Sequence, residues 1–169
     1  MICSYMFGLL HNLPSAVVEH LTSTGSLTAR LEKLANKPIS VKVLSDRIVA
    51  LSHAQKIRLG LPKNRPALAR CRQVLLYGDD EQAWIKAISF LPLSSLTGEL
   101  KRLKQLGDTP IGYILFKKNR TLPHRRHYYQ DNGGIGRSTL YQHRQRPILI
   151  DEIFLPTLIE KLTQAKQNS

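Results

Sequence analysis

Acidic side chains are scarce in this chain: 12 Asp and Glu face 25 Lys and Arg, which leaves a net charge of +13 and a pI near 10.1. An excess of that size points to an anionic partner without naming it. Cysteine is scarcer still. Cys3 and Cys71 lie far apart with no metal-ligand spacing around them, which argues against a disulfide framework or a zinc site. Cys71, in a strand-like run, reads as a small buried hydrophobe rather than a nucleophile. The six histidines, His11, His20, His53, His124, His127 and His143, make no HExxH pattern and no recurring pair with acidic residues, so no metal is expected. No window approaches the roughly 18 consecutive apolar residues of a membrane helix. The apolar start from Met1 to Leu10 has neither the basic leader nor the small-residue cleavage site of a secretory signal. The expectation is a soluble, cytoplasmic protein, with Met6 as an alternative start. Ser-His-Asp, Walker and reactive-thiol patterns are missing too. Gly133-Gly134-Ile135-Gly136 is too short and wrongly spaced for a dinucleotide loop and reads as a flexible turn.

What is present fits one domain. At 169 residues, 42% apolar and 22% charged, the chain can bury a sizeable core without staples. A single domain over 1–169 is expected, with 1–12 a loosely ordered extension. Residues 13–21 read as a helix that Ser15 can cap, with Val17, Val18 and Leu21 on one face. A second helix starts after Ser26, placing Leu27 in its first turn with Leu31 and Leu34. Residues 39–43 alternate as a strand and 46–52 as its returning partner, while 53–66 is basic and resists assignment. Runs 70–77 and 84–91, joined by the polar turn Gly78-Asp79-Asp80-Glu81, form a hairpin. Ser94 or Ser95 can cap a helix carrying Leu96, Leu100 and Leu103, ended by Gly107. In Thr109-Pro110-Ile111 a hydroxyl precedes a proline suited to the first helical position, so another helix starts at Ile111. Residues 137–144 and 148–155 read as a last hairpin, followed by a short helix from Pro156 and a polar tail from Gln164. Several hairpins with helices between them argue for an α+β domain, an antiparallel sheet flanked by helices.

Two strands each bring one charge onto an apolar face. In Arg72-Gln73-Val74-Leu75-Leu76 the arginine points with Val74 and Leu76, and in Ile148-Leu149-Ile150-Asp151-Glu152-Ile153-Phe154 the glutamate points with Ile148, Ile150 and Phe154. A buried charge is costly unless it is paired or serves a ligand. The strand pattern leaves an internal ion pair and a binding site both open. Helix starts expose N–H groups and partial positive charge. If the sheet brings Leu27 and Ile111 near Arg72, the result is an anion pocket with Glu152 on another wall, suited to a small cyclic or aromatic carboxylate.

These residues carry a resemblance. The run Arg72-x-Val-Leu-Leu, then Trp84-x-x-Ala87, Leu106-Gly107-Asp108-Thr109-Pro110-Ile111-Gly112-x-x-Leu115-Phe116, and Pro147-Ile148-Leu149-Ile150-x-Glu152-x-Phe154-Leu155-Pro156 resembles bacterial chorismate pyruvate-lyase, also called 4-hydroxybenzoate synthase. It is clearest from Arg72 to Pro156 and weaker around Ser26-Leu27-Thr28-x-Arg30-x-Glu32. It implies an antiparallel sheet enclosing a small pocket closed by flaps. It also implies an arginine holding a carboxylate, Arg72; a glutamate at the other end of the ligand, Glu152; and Leu27 and Ile111 binding through their backbones. Two positions depart from the family: Ile88 stands where an arginine is common after Trp-x-x-Ala/Gly, and Ser138 follows Arg137 where a double arginine is common. Lys86, on the face of Ile88, is a candidate replacement for the first.

The implied reaction is a carbon–oxygen lyase step, chorismate to 4-hydroxybenzoate and pyruvate, opening ubiquinone synthesis. Arg72 would fix the ring carboxylate, and helix-start amides or another basic side chain the enolpyruvyl group. Glu152 would either position the ring hydroxyl or act as general base. Neither route needs a metal or organic cofactor. A monomer with no nucleic-acid partner and no stable membrane insertion is expected. Two competing readings are a non-catalytic effector-binding domain of the same fold and a nucleic-acid binder resting on the charge of +13 and the basic stretch from Lys117 to Arg126. The regulators that use this fold place a helix-turn-helix ahead of it, and too few residues precede the first strand here for one.

Overall fold

The computed structural model describes residues 9–117 and 120–167. Cys3, most of the apolar start, Lys118 and Asn119 of the basic stretch, and the last two residues of the polar tail lie outside the described residues. Six strands, β1 Ser40–Ala50, β2 Leu68–Tyr77, β3 Ile85–Pro92, β4 His124–Asp131, β5 Gly134–His143 and β6 Arg146–Phe154, form one sheet in the order β1-β2-β3-β6-β5-β4. Every neighbouring pair is antiparallel. The helices are α1 Ser15–Thr22, α2 Leu27–Ala35, α3 His53–Leu59, α4 Gly112–Leu115 and α5 Pro156–Gln167, with 3-10 segments at Leu93–Ser95 and Gly98–Gln105. This is the expected α+β fold.

Alternation along the strands sorts the sheet into two faces. On one, α1, α2 and α5 bury Val17, Leu21, Leu31, Phe154, Leu158 and Leu162. Beside them the 3-10 segments and α4 bury Leu96, Leu100, Leu103, Leu115 and Ile148. The opposite face carries a smaller cluster of Leu59, Cys71, Phe90 and Leu149 under α3. Burial there pushes the Cys71 thiol pKa up, in keeping with a packing role. The sheet is therefore a wall with a thick side, and the thick side contains the cavity.

The turns follow from their residues. Arg144 and Gln145, both with positive φ (50° and 62°), make the two-residue connection of β5 and β6, with the twist that antiparallel strands favour. Between β2 and β3, Trp84 is fully buried, its backbone N–H donating to Leu76 O at 2.8 Å and its indole to Asp80 Oδ2 at 2.5 Å. Gly78 lies against that ring: a Cβ there would sit 2.3 Å from two ring carbons. Gly78→Ala should lower stability by about 1–3 kcal/mol and the melting temperature by several degrees. An unchanged melting curve would mean that the turn does not clamp the indole.

Several local expectations are corrected. Residues 46–52 do not return as a partner strand. With no Gly or Pro to reverse it, the chain runs straight through β1, and a register shift between Val43 and Ser45 absorbs the extra residue as a bulge. The unassigned stretch opens with α3, whose start is a reciprocal capping box of Ser52 and Gln55 and whose end is the left-handed Gly60. Ser-x-x-Gln is a recognisable start signal. Gly134, Ile135 and Gly136 belong to β5 rather than to a flexible turn. A Cβ on Gly136 would meet the Tyr129 ring at 2.3 Å, so close approach, not mobility, calls for glycine there. Pro14, not Ser15, holds the cap position of α1. Ser94 and Ser95 cap no α-helix: the segment is 3-10, and the Ser95 hydroxyl donates to Pro147 O at 2.9 Å. The C-terminal helix continues through Gln167, into the expected tail, and residues 9–11 of the expected loose extension are helical.

Candidate active site

The charges that the strands turn inward face one cavity. Arg72 comes from β2, Glu152 from β6, Leu27 from the start of α2, and Ile111 from just before α4, and all four line it. The cavity leaves about 30 Å³ for the centre of a water-sized sphere, the room of one or two waters. A ring-shaped ligand therefore requires its roof to move.

That roof is built from two helix starts in contact. Ser26 caps α2, its Oγ accepting from Ala29 N at 3.2 Å, which fixes Leu27 as the first helical residue. At α4 the cap position falls on Ile111 itself, with no side-chain cap, so the Thr109 hydroxyl does not play the expected role. Thr109 contributes its backbone oxygen instead. Gly112 lets the two segments touch, since a Cβ there would lie 2.7 Å from Thr28 Oγ1 and 3.0 Å from Ser26 Oγ. The Tyr113 hydroxyl donates to Glu32 on α2, a contact that pushes the phenol up to about 12 and clasps the two pieces.

Arg72 is 2% exposed. Its Nη2 donates to Gly107 O at 2.7 Å and to Thr109 O at 3.4 Å. Asp46 Oδ2 stands 3.7 Å from its Nε, too far for a hydrogen bond, because Arg70 already holds both Asp46 oxygens at 2.5 and 2.9 Å. Nε has no acceptor. Burial lowers the Arg72 pKa while Asp46 opposes the shift.

Glu152 is paired, but with Arg137 rather than Arg72. Arg137 Nε donates to Glu152 Oε2 at 2.6 Å, and the two residues face each other in the β5–β6 register. Arg137 is fully buried, and its Nη1 donates to His20 O at 3.1 Å and Leu21 O at 3.0 Å, the carbonyls that end α1. Burial works against its charge, and Glu152 outweighs that so that the guanidinium pKa is raised. Arg137 lines the cavity, whereas the sequence reading places it at the start of the last hairpin and at an interrupted double arginine, with no role at the site. The signal was present: Ile135, Arg137, Thr139 and Tyr141 alternate onto the same face. Reading the glycines before it as a turn hid that pattern.

The two departures from the resembled family lie on the far face. Ile88 packs against the cluster under α3, and Lys86, exposed, makes no ion pair among the described residues, so it replaces nothing. Ser138 accepts from Arg58 Nη2 at 2.6 Å, and the same guanidinium nitrogen reaches Asp151 at 2.5 Å. An arginine from α3 thus serves that face. In the basic stretch, Arg126 turns inward to Thr139 Oγ1 at 2.8 Å and Ser23 O at 2.7 Å, so it is not part of an open basic strip. Two larger clefts share Arg120, of about 690 and 620 Å³. Glu99 pairs there with Arg120 at 3.1 Å and Arg144 at 3.4 Å.

The chain matches the family model described as chorismate lyase over residues 9–164. A relative from Psychrobacter arcticus named "Probable chorismate pyruvate-lyase" is 49% identical over 144 residues, 83% of this chain and 86% of the relative. One of the same name from Psychrobacter cryohalolentis is 45% identical over 88% of this chain and 90% of its own length. Among solved structures, the effector domain of PhnF from Mycobacterium smegmatis aligns with a TM-score of 0.54 at 12% identity, covering 80% of this chain and 91% of that one. That likeness speaks for the fold alone. The family match over nearly the whole length, joined by relatives at this level of identity, places the chain in the chorismate lyase family.

Proposed function

We propose that this protein is a chorismate pyruvate-lyase, converting chorismate to 4-hydroxybenzoate and pyruvate as a cytoplasmic monomer at the start of ubiquinone synthesis. The observation that carries the reading is the cavity itself, lined both by a buried guanidinium with an unmet donor and by a half-buried carboxylate. The ring carboxylate of chorismate supplies the acceptor that Arg72 Nε lacks, a charge-assisted bond in a dry site. The ring hydroxyl, para to that carboxylate, donates to Glu152 through the oxygen that Arg137 does not take. The first turns at Leu27 and Ile111 close over the ring.

Held this way, the substrate can react within itself. The C4 hydrogen passes to the methylene carbon of the enolpyruvyl group and the C3–O bond breaks. The C4–H pair becomes the ring double bond that completes aromaticity, the C3–O pair becomes the carbonyl of pyruvate, and the enol C=C pair forms the new C–H bond of the pyruvate methyl group. Atoms and electrons balance without an external acid, base, metal or oxidant. The protein's part is to enforce the reactive conformer and exclude water. Glu152, already engaged by Arg137, acts here as a positioning group rather than a general base. The fold likeness to effector domains brings no ligand with it, and the family match favours the lyase.

Chorismate deuterated at C4 tests both statements. Dialysed protein should release 4-hydroxybenzoate and pyruvate in equal amounts above a protein-free control, with the label in the pyruvate methyl group. Label lost to solvent would restore Glu152 as the base. Absence of both products would remove the lyase reading.

A further inference from the structure

We propose that Arg137 is a second substrate-binding residue, whose unpaired Nη2 receives the carboxylate of the enolpyruvyl side chain while Arg72 holds the ring carboxylate; this rests on the lyase reading above. Among the described residues, three buried side-chain nitrogens lack a hydrogen-bond acceptor, Arg72 Nε, Arg137 Nη2 and His143 Nδ1, although Asp46 Oδ2 stands 3.7 Å from the first. The first two belong to residues lining the same cavity. A buried cationic donor without an acceptor is costly, and Arg137 cannot turn to relieve it. Its Nε is held by Glu152 and its Nη1 by the carbonyls of His20 and Leu21. The free arm is therefore fixed in place before any ligand arrives.

The sheet sets the spacing. Arg72 on β2 and Arg137 on β5 are three strand intervals apart, roughly 14 Å between backbones, so their side chains approach the cavity from opposite sides. Arg137 is the direct cross-strand neighbour of Glu152. In chorismate the hydroxyl at C4 and the side chain at C3 occupy adjacent ring carbons, and the ring carboxylate lies across from the hydroxyl. If Glu152 takes the hydroxyl, the neighbouring guanidinium meets the C3 side chain and Arg72 meets the ring carboxylate. A monocarboxylate satisfies one of the two orphan donors and a dicarboxylate satisfies both.

Two non-reacting ligands separate these cases: 3-carboxymethoxy-4-hydroxybenzoate, with the second carboxylate, and 3-ethoxy-4-hydroxybenzoate, without it. The unaltered protein should bind the first at least about tenfold tighter. Arg137→Lys keeps a cation beside Glu152 but removes the Nη2 arm. It should erase that preference and lower kcat/KM for chorismate about 30-fold or more. Affinity for 4-hydroxybenzoate, which has no side chain, should stay within about threefold of the unaltered protein. Equal affinity for the two ethers in the unaltered protein overturns the proposal even if the variant fails to fold. So does a variant that weakens 4-hydroxybenzoate as much as it weakens chorismate turnover. An unaltered protein that neither turns over chorismate nor binds any of these acids refutes the lyase reading instead.

Discussion

Arg72→Ala should lower kcat/KM for chorismate about a thousandfold, since removing one partner of a buried charged contact costs about 2–5 kcal/mol and each ~1.4 kcal/mol is a factor of ten. The loss has two sources. The ring carboxylate would enter a dry cavity with no guanidinium to meet it. The Gly107 and Thr109 carbonyls, which now accept from Arg72 Nη2, would lose their donor, loosening the segment that leads into Ile111. Arg72→Lys separates the two, because an ammonium restores the charge without the planar fork; it should recover only part of the activity. Catalytic efficiency within about threefold of the unaltered protein in Arg72→Ala would remove Arg72 from the site.

Glu152→Gln has the second largest expected effect, and it falls first on stability. The substitution leaves the Arg137 guanidinium, fully buried, without its counter-charge, which should cost about 3 kcal/mol and lower the melting temperature by about 6–12 °C. The companion Arg137→Gln, Glu152→Gln double variant should be more stable than Glu152→Gln alone, because no unpaired charge remains. Activity discriminates the role of the carboxylate. A glutamine oxygen can still accept from the ring hydroxyl, so a positioning group should lose only about tenfold in kcat after correction for the folded fraction, whereas loss of a general base should cost about 10²–10⁴. A melting curve unchanged by Glu152→Gln would mean that the Arg137 pair is not carrying the charge balance of the cavity.

How much of this was legible beforehand depended on whether the signal was local. Alternation within β2 and β6 exposed Arg72 and Glu152 because each sits two residues from apolar neighbours on the same strand, and strand geometry admits one answer. The Ser26 cap was equally local. Partnership was not. Strand pattern cannot say that Glu152 meets Arg137, because that contact depends on β5 and β6 being adjacent in register. The position of Asp46 beside Arg70 and Arg72 depends likewise on β1 running unbroken through its bulge, where the sequence reads as two short strands. Glycine misled the reading of β5. Gly134 and Gly136 resemble a loop by composition, yet a Cβ would meet the backbone oxygen of Phe154 in one case and the Tyr129 ring in the other. Such close approaches are tertiary facts with no local signature. The roof was half visible: both helix starts were located, but their contact through Gly112 and Thr28 was not.

The charge of +13 is larger than one small dianion requires, and the structure distributes it. Arg137, Arg126 and Arg72 spend much of their donor capacity on backbone carbonyls. Arg58 and Arg70 are held by Asp151 and Asp46. Basic residues thus tie elements together as much as they attract a substrate, which is why the count alone could not identify the partner.

The most direct test is a crystal structure with 4-hydroxybenzoate bound. The carboxylate should lie within hydrogen-bond distance of Arg72 Nε, the hydroxyl should meet Glu152, and the roof at Leu27 and Ile111 should have shifted to admit the ring. A ligand bound the other way round, or seated in the basic clefts beside Arg120 and Arg144 with the cavity still closed, would contradict the account.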